Sequence, residues 1–394
     1  MDYYNEFLKR TDERKKSAHV KLKLLVNGVK DAPEIFKELE GQYEEEHYAY
    51  DNGNWGVDKN RFTPTGLLLP GGIVSKLHIR PESPLSLCKK GDKLYVKNDE
   101  ENEILSEFLF LKRPKFWDYK TSTGIPTKNL AQIYGLNCLN FNIFSGCQFY
   151  NAGFGCKFCS VKNTVKKDNP VKIVKDPDEL AEVAKLATEN DDFNYMIITG
   201  GSHLDGDEEF DAYVKILEKI RYNLPWGGKI KGNVALMPPK DLSKLKKLKE
   251  LEVENPSFNM EVWPKENFQK ICPGKDKYVG FDHIVDALLY LREIYGPGKV
   301  WSNFVAGIVP LEDMKAGFKF MAEHGIVPGA NIYHAEVDSF LGNRLGKISE
   351  EYVLELYKYA AKLYHEYGFH PFFDAGVLRN SLANEAYEGY FDED

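Results

Sequence analysis

Short apolar runs alternate with amphipathic helical patterns from about residue 176 to residue 376 of this 394-residue chain. In one such unit, the buried-strand run FNYMIITGG (193–201) ends in glycines, and Phe210, Val214 and Leu217 then recur at helical spacing. Repeated strand–helix alternation predicts a parallel sheet with right-handed crossovers. About seven strands are predicted from Cys138 onward, one fewer than a closed eight-stranded barrel has. The pattern therefore fits either a (β/α) barrel that is open or incomplete, or a doubly wound sheet.

The individual elements follow from apolar periodicity and from glycine and proline stops. The predicted strands cover residues 138–144, 193–201, 229–239, 256–263, 299–309, 326–335 and 370–376. The predicted helices cover residues 177–190, 207–223, 242–251, 281–296, 310–325 and 349–368.

The first third of the chain has a different pattern. HVKLKLLVNG (19–28), GGIVSKLHIR (71–80) and DKLYVKN (92–98) are short strand candidates between turns rich in proline, glycine and aspartate. FWDYKTSTGIP (116–126) is predicted to be a linker that packs onto the barrel. We therefore predict a smaller α/β or mainly β accessory region over residues 1–130, followed by the β/α unit over residues 131–394.

Composition and charge exclude several classes of function. A formal net charge of −8 and a pI near 5.7 argue against a general nucleic-acid binder. The lysines of KDLSKLKKLKEL (240–251) are typical of the solvated face of an amphipathic helix. Since no apolar run reaches the roughly 18–20 residues of a membrane span, no membrane partner is expected. The polar N-terminal stretch resembles no targeting peptide, so we expect a cytoplasmic protein.

Half of the six cysteines lie in the segment IFSGCQFYNAGFGCKFCSV (143–161), namely Cys147, Cys156 and Cys159. The segment follows the strand predicted at 138–144, at the carboxyl end where β/α folds place their functional loops. A structural zinc site needs four ligands, and the nearest histidine, His203, lies 44 residues beyond Cys159. Three thiolates instead suit a [4Fe–4S] cluster that keeps one iron open. Zinc with a distant fourth ligand remains the alternative.

The other cysteines, Cys88, Cys138 and Cys272, are isolated in the sequence and are predicted to be ordinary free thiols.

The cysteine segment resembles the cluster loop of the radical S-adenosylmethionine (SAM) superfamily, whose commonest form is Cys-x3-Cys-x2-Cys. Cys156, Phe158 and Cys159 match the end of that motif, whereas eight residues instead of three separate Cys147 from Cys156. The resemblance implies a [4Fe–4S] cluster held by Cys147, Cys156 and Cys159. It also implies SAM as the second cofactor, with Phe158 packed near the adenine.

Further segments extend the resemblance to the biotin-synthase-like branch, over about residues 138–376. IITGGS (197–202) resembles the superfamily's GGE motif, which implies SAM contacts for Gly200, Gly201 and Ser202, although Ser202 replaces the glutamate. Glu261 in NMEVWP and Asn303 in SNFVAGIVP occupy positions implied to face SAM. Each residue also has an ordinary structural alternative. Gly200 and Gly201 could form a turn that ends a strand, Glu261 could be a surface or salt-bridged carboxylate, and Asn303 could be a structural hydrogen-bonding group.

The substrate-facing candidates, together with Glu261, are Tyr333, His334 and Glu336 at the end of the sixth predicted strand. The resemblance implies a TIM-type (β/α) barrel, complete or partial. It implies an oxygen-sensitive enzyme that cleaves SAM reductively to a 5′-deoxyadenosyl radical, which abstracts hydrogen from a small molecule or cofactor precursor. A reducing partner such as ferredoxin or flavodoxin would supply the electron. A non-catalytic zinc-binding or interaction protein is the competing hypothesis.

Overall fold

The computed structural model describes residues 3–45, 63–160, 175–335, 339–371 and 378–392. The strands are β1 Gly66–Leu69, β2 Ile73–Lys76, β3 Leu85–Lys90, β4 Lys93–Asn98, β5 Glu103–Phe110, β6 Ala131–Tyr134, β7 Cys138–Asn142, β8 Tyr195–Thr199, β9 Ile230–Ala235, β10 Val253–Ser257, β11 Trp301–Ala306 and β12 Val327–Ile332. The helices are α1 Tyr3–Leu8, α2 Arg14–Asn27, α3 Pro33–Glu38, α4 Gln148–Asn151, α5 Pro177–Asn190, α6 Gly206–Ile220, α7 Lys246–Glu250, α8 Lys265–Ile271, α9 Pro273–Tyr278, α10 Phe281–Tyr295, α11 Leu311–Glu323, α12 Glu350–Tyr367 and α13 Ala383–Tyr387.

The larger sheet has seven strands in the order β12-β11-β10-β9-β8-β7-β6. Strands β7 to β12 are parallel and appear in chain order, and β6 pairs antiparallel with β7 at one edge. Helices such as α5, α6, α10, α11 and α12 connect or follow these strands and bury apolar faces against them. The prediction of a partial TIM-type barrel is confirmed, because the sheet is a curled half-barrel.

Two predicted strands need correction. The fourth was predicted at 256–263, but β10 ends at Ser257, and Glu261 has a φ of 65°, which a continuous strand does not allow. The segment 19–28 is not a strand, because it lies in helix α2. Ala18 and Leu22 of α2 pack into the main core while Val20 and Leu24 pack into the N-terminal core. Burial on two sides gives an alternating pattern that imitates a strand.

Residues 372–376 of the last predicted strand lie outside the described residues.

The N-terminal region contains a five-stranded antiparallel sheet in the order β2-β1-β5-β4-β3. Helix α2 lies between this sheet and the half-barrel. Its Lys21 ammonium lies 2.7 Å from the Glu385 carboxylate of α13, and both side chains are buried. In the stretch predicted to be a linker, the Trp117 indole donates a hydrogen bond to the carbonyl of Ala131 at 3.2 Å. No helix in the described ranges is long and apolar enough to cross a membrane.

Candidate active site

The three clustered cysteines line one cavity at the carboxyl ends of β7 and β8. This cavity of about 150 Å³ is lined by Cys147, Cys156 and Cys159 and also by the glycines that follow β8. The structure thus brings together the two segments that the sequence singled out separately. Their neighbourhood follows from the parallel sheet, because β7 and β8 are adjacent and their carboxyl ends meet at one edge.

Gly200 and Gly201 allow the chain after β8 to touch the backbone of the cysteine loop. A Cβ atom at Gly201 would lie 2.2 Å from the carbonyl oxygen of Gly146 and 2.8 Å from the Cα of Cys147. A Cβ atom at Gly200 would lie 2.8 Å from the backbone nitrogen of Phe144. The two loops therefore need glycine for close approach, rather than for an unusual backbone conformation.

The eight residues between Cys147 and Cys156 begin with a short helical turn, α4, that supports the cysteines. The single hydroxyl proton of Tyr150 in this turn is within hydrogen-bonding reach of two carbonyl oxygens, that of Cys156 at 3.0 Å and that of Cys159, and is shared between them. The neighbouring ring of Phe149 is buried and stacks on Tyr278 of α9 with centroids 5.5 Å apart. The long gap is therefore occupied by an ordered element with its own contacts.

Two buried charged groups line the same cavity, and the sequence did not single them out. The Glu209 carboxylate of α6 accepts hydrogen bonds from the backbone N–H groups of His203 and Met237, each at 2.8 Å. Burial raises the pKa of Glu209 to about 7, although the hydrogen bonds from these two N–H groups lower it. The Lys275 ammonium of α9 lies 2.6 Å from the Glu261 carboxylate. Burial lowers the pKa of Lys275, but the neighbouring Glu261 carboxylate outweighs this effect, so the pKa is raised. Helical charges are too common for either residue to stand out in sequence.

The buried Cys272 thiol lies beside Cys156. A hydrogen bond with Cys272 lowers the pKa of Cys156, while burial opposes that shift. Burial raises the pKa of Cys147. None of the six cysteines forms a disulfide. Cys272, predicted to be an isolated thiol, contacts Cys156 instead.

A second, larger cavity of about 340 Å³ shares Phe158, Cys159, Gly200 and Glu261 with the first. Tyr333 and His334, two of the substrate-facing candidates from the sequence, line it. The His334 ring stacks on His78 of the N-terminal region, with centroids 3.7 Å apart. Burial, His334 and the nearby cations lower the pKa of His78 well below its ordinary value, so that it is neutral near pH 7.

The remaining candidates have different positions. Glu336 lies outside the described residues. Asn303 is on β11, and its backbone carbonyl accepts a hydrogen bond from the N–H of Glu261 at 2.9 Å. Asn303 is not among the described residues that line either cavity. Its contact with Glu261 fixes the segment that carries this carboxylate.

Comparison with known proteins decides the family. Residues 141–321 match the family described as the Radical SAM superfamily. This chain contains a radical SAM domain. The matched range includes the three clustered cysteines and the loop after β8, and the resemblance inferred from those residues is confirmed. The radical SAM match and the curated relatives, which are enzymes, confirm the prediction of an enzyme.

Two relatives show which radical SAM enzymes are similar to this chain. It is 26% identical over 269 residues to the bacteriochlorophyllide c C-7(1)-hydroxylase of Chlorobaculum limnaeum, covering 63% of this chain and 65% of the hydroxylase. It is 25% identical over 202 residues to the biotin synthase of Aliarcobacter butzleri (strain RM4018), covering 48% of this chain and 67% of the synthase. The chain thus spans about two thirds of the length of each relative.

A crystal structure of methylornithine synthase is 15% identical, with a TM-score of 0.43, over 62% of this chain and 71% of that chain.

Proposed function

We propose that this chain is a radical SAM enzyme that acts on a small molecule. Cys147, Cys156 and Cys159 hold a [4Fe–4S] cluster, and SAM occupies the space between the cluster and the larger cavity. When both are bound, one-electron reduction cleaves SAM and supplies a 5′-deoxyadenosyl radical for hydrogen abstraction. The observation that carries this proposal is the shared wall: the cavity lined by the cysteines and the larger cavity have Phe158, Cys159 and Gly200 in common.

The donor set fits these cofactors. Iron–sulfur clusters are held by thiolates, and three cysteines that share one cavity with a glycine-walled loop leave an iron free for SAM. Gly200, Gly201 and Ser202 present backbone groups to the same cavity, where Phe158 supplies an apolar face. We therefore assign these four residues to SAM binding, with Asn303 holding the Glu261 segment in place.

The charged residues of the smaller cavity complement the two ends of an amino acid. Ser202 stands where the superfamily motif has a glutamate, while Glu209 and Glu261 are the carboxylates that line this cavity. The Lys275 ammonium has three donors, of which the Glu261 carboxylate at 2.6 Å and the Asn259 carbonyl at 2.9 Å receive two. We assign Lys275 to the SAM carboxylate, and the two carboxylates to its amino group.

We place the substrate in the larger cavity, beside Tyr333 and His334, with Glu336 as a further candidate. The barrel of residues 131–394 then carries both cofactors, and residues 1–130 act as an accessory region. Ferredoxin or flavodoxin would supply the electron. A reducing compartment such as the cytoplasm would keep the cluster cysteines reduced, and a cluster with an open iron would be sensitive to oxygen.

Anaerobic purification followed by iron, sulfide and zinc analysis tests the proposal. We expect a brown protein that dithionite reduces and that converts SAM to 5′-deoxyadenosine. Cys159→Ala is expected to abolish this conversion, whereas Cys88→Ala, in strand β3 of the N-terminal sheet, retains it. A colourless, zinc-loaded protein would support the zinc-binding alternative instead. No group of three or more His, Cys, Asp or Glu within the described ranges is arranged around a single metal ion.

A further inference from the structure

A row of carboxamide side chains lines the larger cavity where strands β6 and β7 form its wall. Gln132 of β6 lies directly opposite Asn140 of β7 in the antiparallel pair, and Asn142 follows two residues further along β7. Residues paired across two strands, or two apart on one strand, have their side chains on the same face of a sheet. All three residues line the cavity of about 340 Å³. The strand register therefore builds an amide row, Gln132, Asn140 and Asn142, on the cavity face of the sheet.

Each member of the amide row has a buried atom without a hydrogen-bond partner in the described part of the chain. These atoms are the amide nitrogen of Gln132 and the amide oxygens of Asn140 and Asn142. Gln132 is 2% exposed and Asn142 is 5% exposed. The hydroxyl of Ser160, which lines the same cavity, is likewise buried without a partner among the described residues. Because buried polar groups are almost always paired, the row requires a polar ligand or water.

A buried asparagine elsewhere in the same sheet shows how the chain satisfies an amide that has a structural role. The Asn233 amide of β9 donates a hydrogen bond to the carbonyl of Asn255 at 2.8 Å and accepts one from the Ser257 hydroxyl at 3.3 Å. Asn233 is not among the described residues that line either cavity. The amide that faces neighbouring strands is thus paired within the protein, whereas those that face the cavity have atoms left for a ligand.

The amide row adjoins the space that we assign to SAM. A Cβ atom at Gly200 would lie 3.3 Å from the amide oxygen of Asn142. Gly200 also lines both cavities, as do Phe158 and Cys159. A ligand bound along the row is therefore held beside the position at which the proposed radical would form.

We infer that the substrate carries an uncharged group with an N–H beside a C=O, as in a carboxamide or a lactam, bound by Gln132, Asn140 and Asn142. The two unpaired amide oxygens accept from N–H groups, while the unpaired amide nitrogen of Gln132 donates to a carbonyl. A neutral group of this kind satisfies both without burying a net charge. The cavity of about 340 Å³ is at the lower end of the range for ligand sites, which suits a molecule of metabolite size. This inference rests on the proposed function for its reaction.

Equilibrium dialysis of the full-length, cluster-loaded protein, under anoxia and with saturating SAM, tests the inference with six-membered ring probes. δ-Valerolactam has both groups, N-methyl-δ-valerolactam has lost the N–H, and trans-1,2-cyclohexanediol offers hydroxyl groups instead. We expect δ-valerolactam to be retained roughly fivefold better than either of the others, the factor that one hydrogen bond contributes. Equal retention of the two lactams, stronger retention of the diol, or retention of no probe would overturn the inference.

Variants separate a ligand-binding role of the amide row from a structural role. Asn142→Leu replaces an incompletely paired buried amide by an apolar group with the same branching, so we expect unchanged or higher stability to urea and roughly fivefold weaker retention of δ-valerolactam. Gln132→Met is expected to behave in the same way. Asn233→Leu is the matched control, because it removes a fully paired amide and should lower stability without changing lactam retention. Unchanged retention in Asn142→Leu, or a loss of stability as large as that of Asn233→Leu, would contradict the assignment.

The assay of 5′-deoxyadenosine on the same samples separates the two proposals. Cleavage of SAM without any preference for the lactam with an N–H removes only the inference about the substrate. That preference in a protein that does not cleave SAM removes only the proposed radical chemistry.

Discussion

Replacing Gly201 with alanine tests whether close contact with the loop after β8 positions Cys147. A Cβ atom at this position would lie 2.2 Å from the carbonyl oxygen and 2.6 Å from the carbonyl carbon of Gly146, and 2.8 Å from the Cα of Cys147. Real Cβ atoms hardly ever approach other heavy atoms within 3.0 Å. All three neighbours are backbone atoms, so no side-chain rotation can relieve the overlap. The cysteine loop has to move by roughly 1 Å to reach ordinary contact distances.

The displacement has two measurable consequences. Overpacking of this kind costs about 1–3 kcal/mol of unfolding free energy. A ligand shifted by roughly 1 Å also misses the tolerance of about 0.2 Å that metal–ligand bonds allow. We therefore expect Gly201→Ala to retain less than about a fifth of the wild-type iron after anaerobic reconstitution. Gly346→Ala is the matched control, because its Cβ would meet no atom within 4 Å.

Iron and sulfide per chain, measured after desalting, together with thermal unfolding of the cluster-free protein, distinguish loss of the site from loss of the fold. A Gly201→Ala protein with wild-type iron content and wild-type unfolding temperature would refute the reasoning. Loss of iron in Gly346→Ala as well would show that any glycine substitution impairs reconstitution, and would equally refute it.

Three further predictions concern buried polar groups. Tyr150→Phe removes the hydroxyl proton that is shared between the Cys156 and Cys159 carbonyls, which contributes about 1 kcal/mol. A chelator should therefore bleach the cluster absorbance faster than in the exposed control Tyr222→Phe, and equal rates would contradict this. Lys275→Met leaves the Glu261 carboxylate, whose side chain is 14% exposed, without its cation and should lower the urea-unfolding free energy by about 1–3 kcal/mol, part of which Glu261→Gln in the same chain restores. No recovery in the double variant would argue against the pair. Burial lowers the pKa of Lys175 from 10.5 to about 7, so between these values the unfolded chain binds a proton that the folded chain does not. Stability should rise with pH across that window by up to about 1.4 kcal/mol per unit, and Lys175→Met should flatten the rise in urea titrations at pH 7 and 9.5. An equal change in unfolding free energy between the two pH values in the wild type and in Lys175→Met would exclude Lys175 as the source of the rise.

The sequence predicted those parts of the fold whose signals are local. Helix α5 has its predicted bounds, Pro177–Asn190, because Asp176 caps it through the backbone N–H groups of its first turn and its apolar residues have helical spacing. The meeting of the cysteine and glycine loops was also predictable, since both follow adjacent parallel strands. Helix α2 was not, because its two buried faces hide the helical period.

Residues that reach the site through tertiary packing gave no sequence signal. Lys76 and Arg379 are 303 positions apart, and only the pairing of β2 with the segment after β12 brings them to one cavity. Lys275 also gave no sequence signal, because its role depends on the Glu261 carboxylate, which lies in a different segment of the chain. Glu261 was identified from its motif, but its position beyond β10 depends on a positive φ that no sequence pattern predicted.

The eight-residue gap between Cys147 and Cys156 makes contacts that hold the cysteine loop in place. Its first residue, Gln148, donates its backbone N–H to the carbonyl of Ser202 at 2.8 Å, which ties the cysteine loop to the loop after β8. Two residues on, Tyr150 holds the carbonyls beyond the gap, and a Cβ atom at Gly155 would lie 2.4 Å from its ring. Tyr150 and Gly155 therefore work as a pair, since any larger residue at 155 would displace the ring whose hydroxyl holds the last two cysteines. The stretched spacing is thus a supported variant of the motif, and deleting residues from it would remove the contacts that fix Cys156 and Cys159.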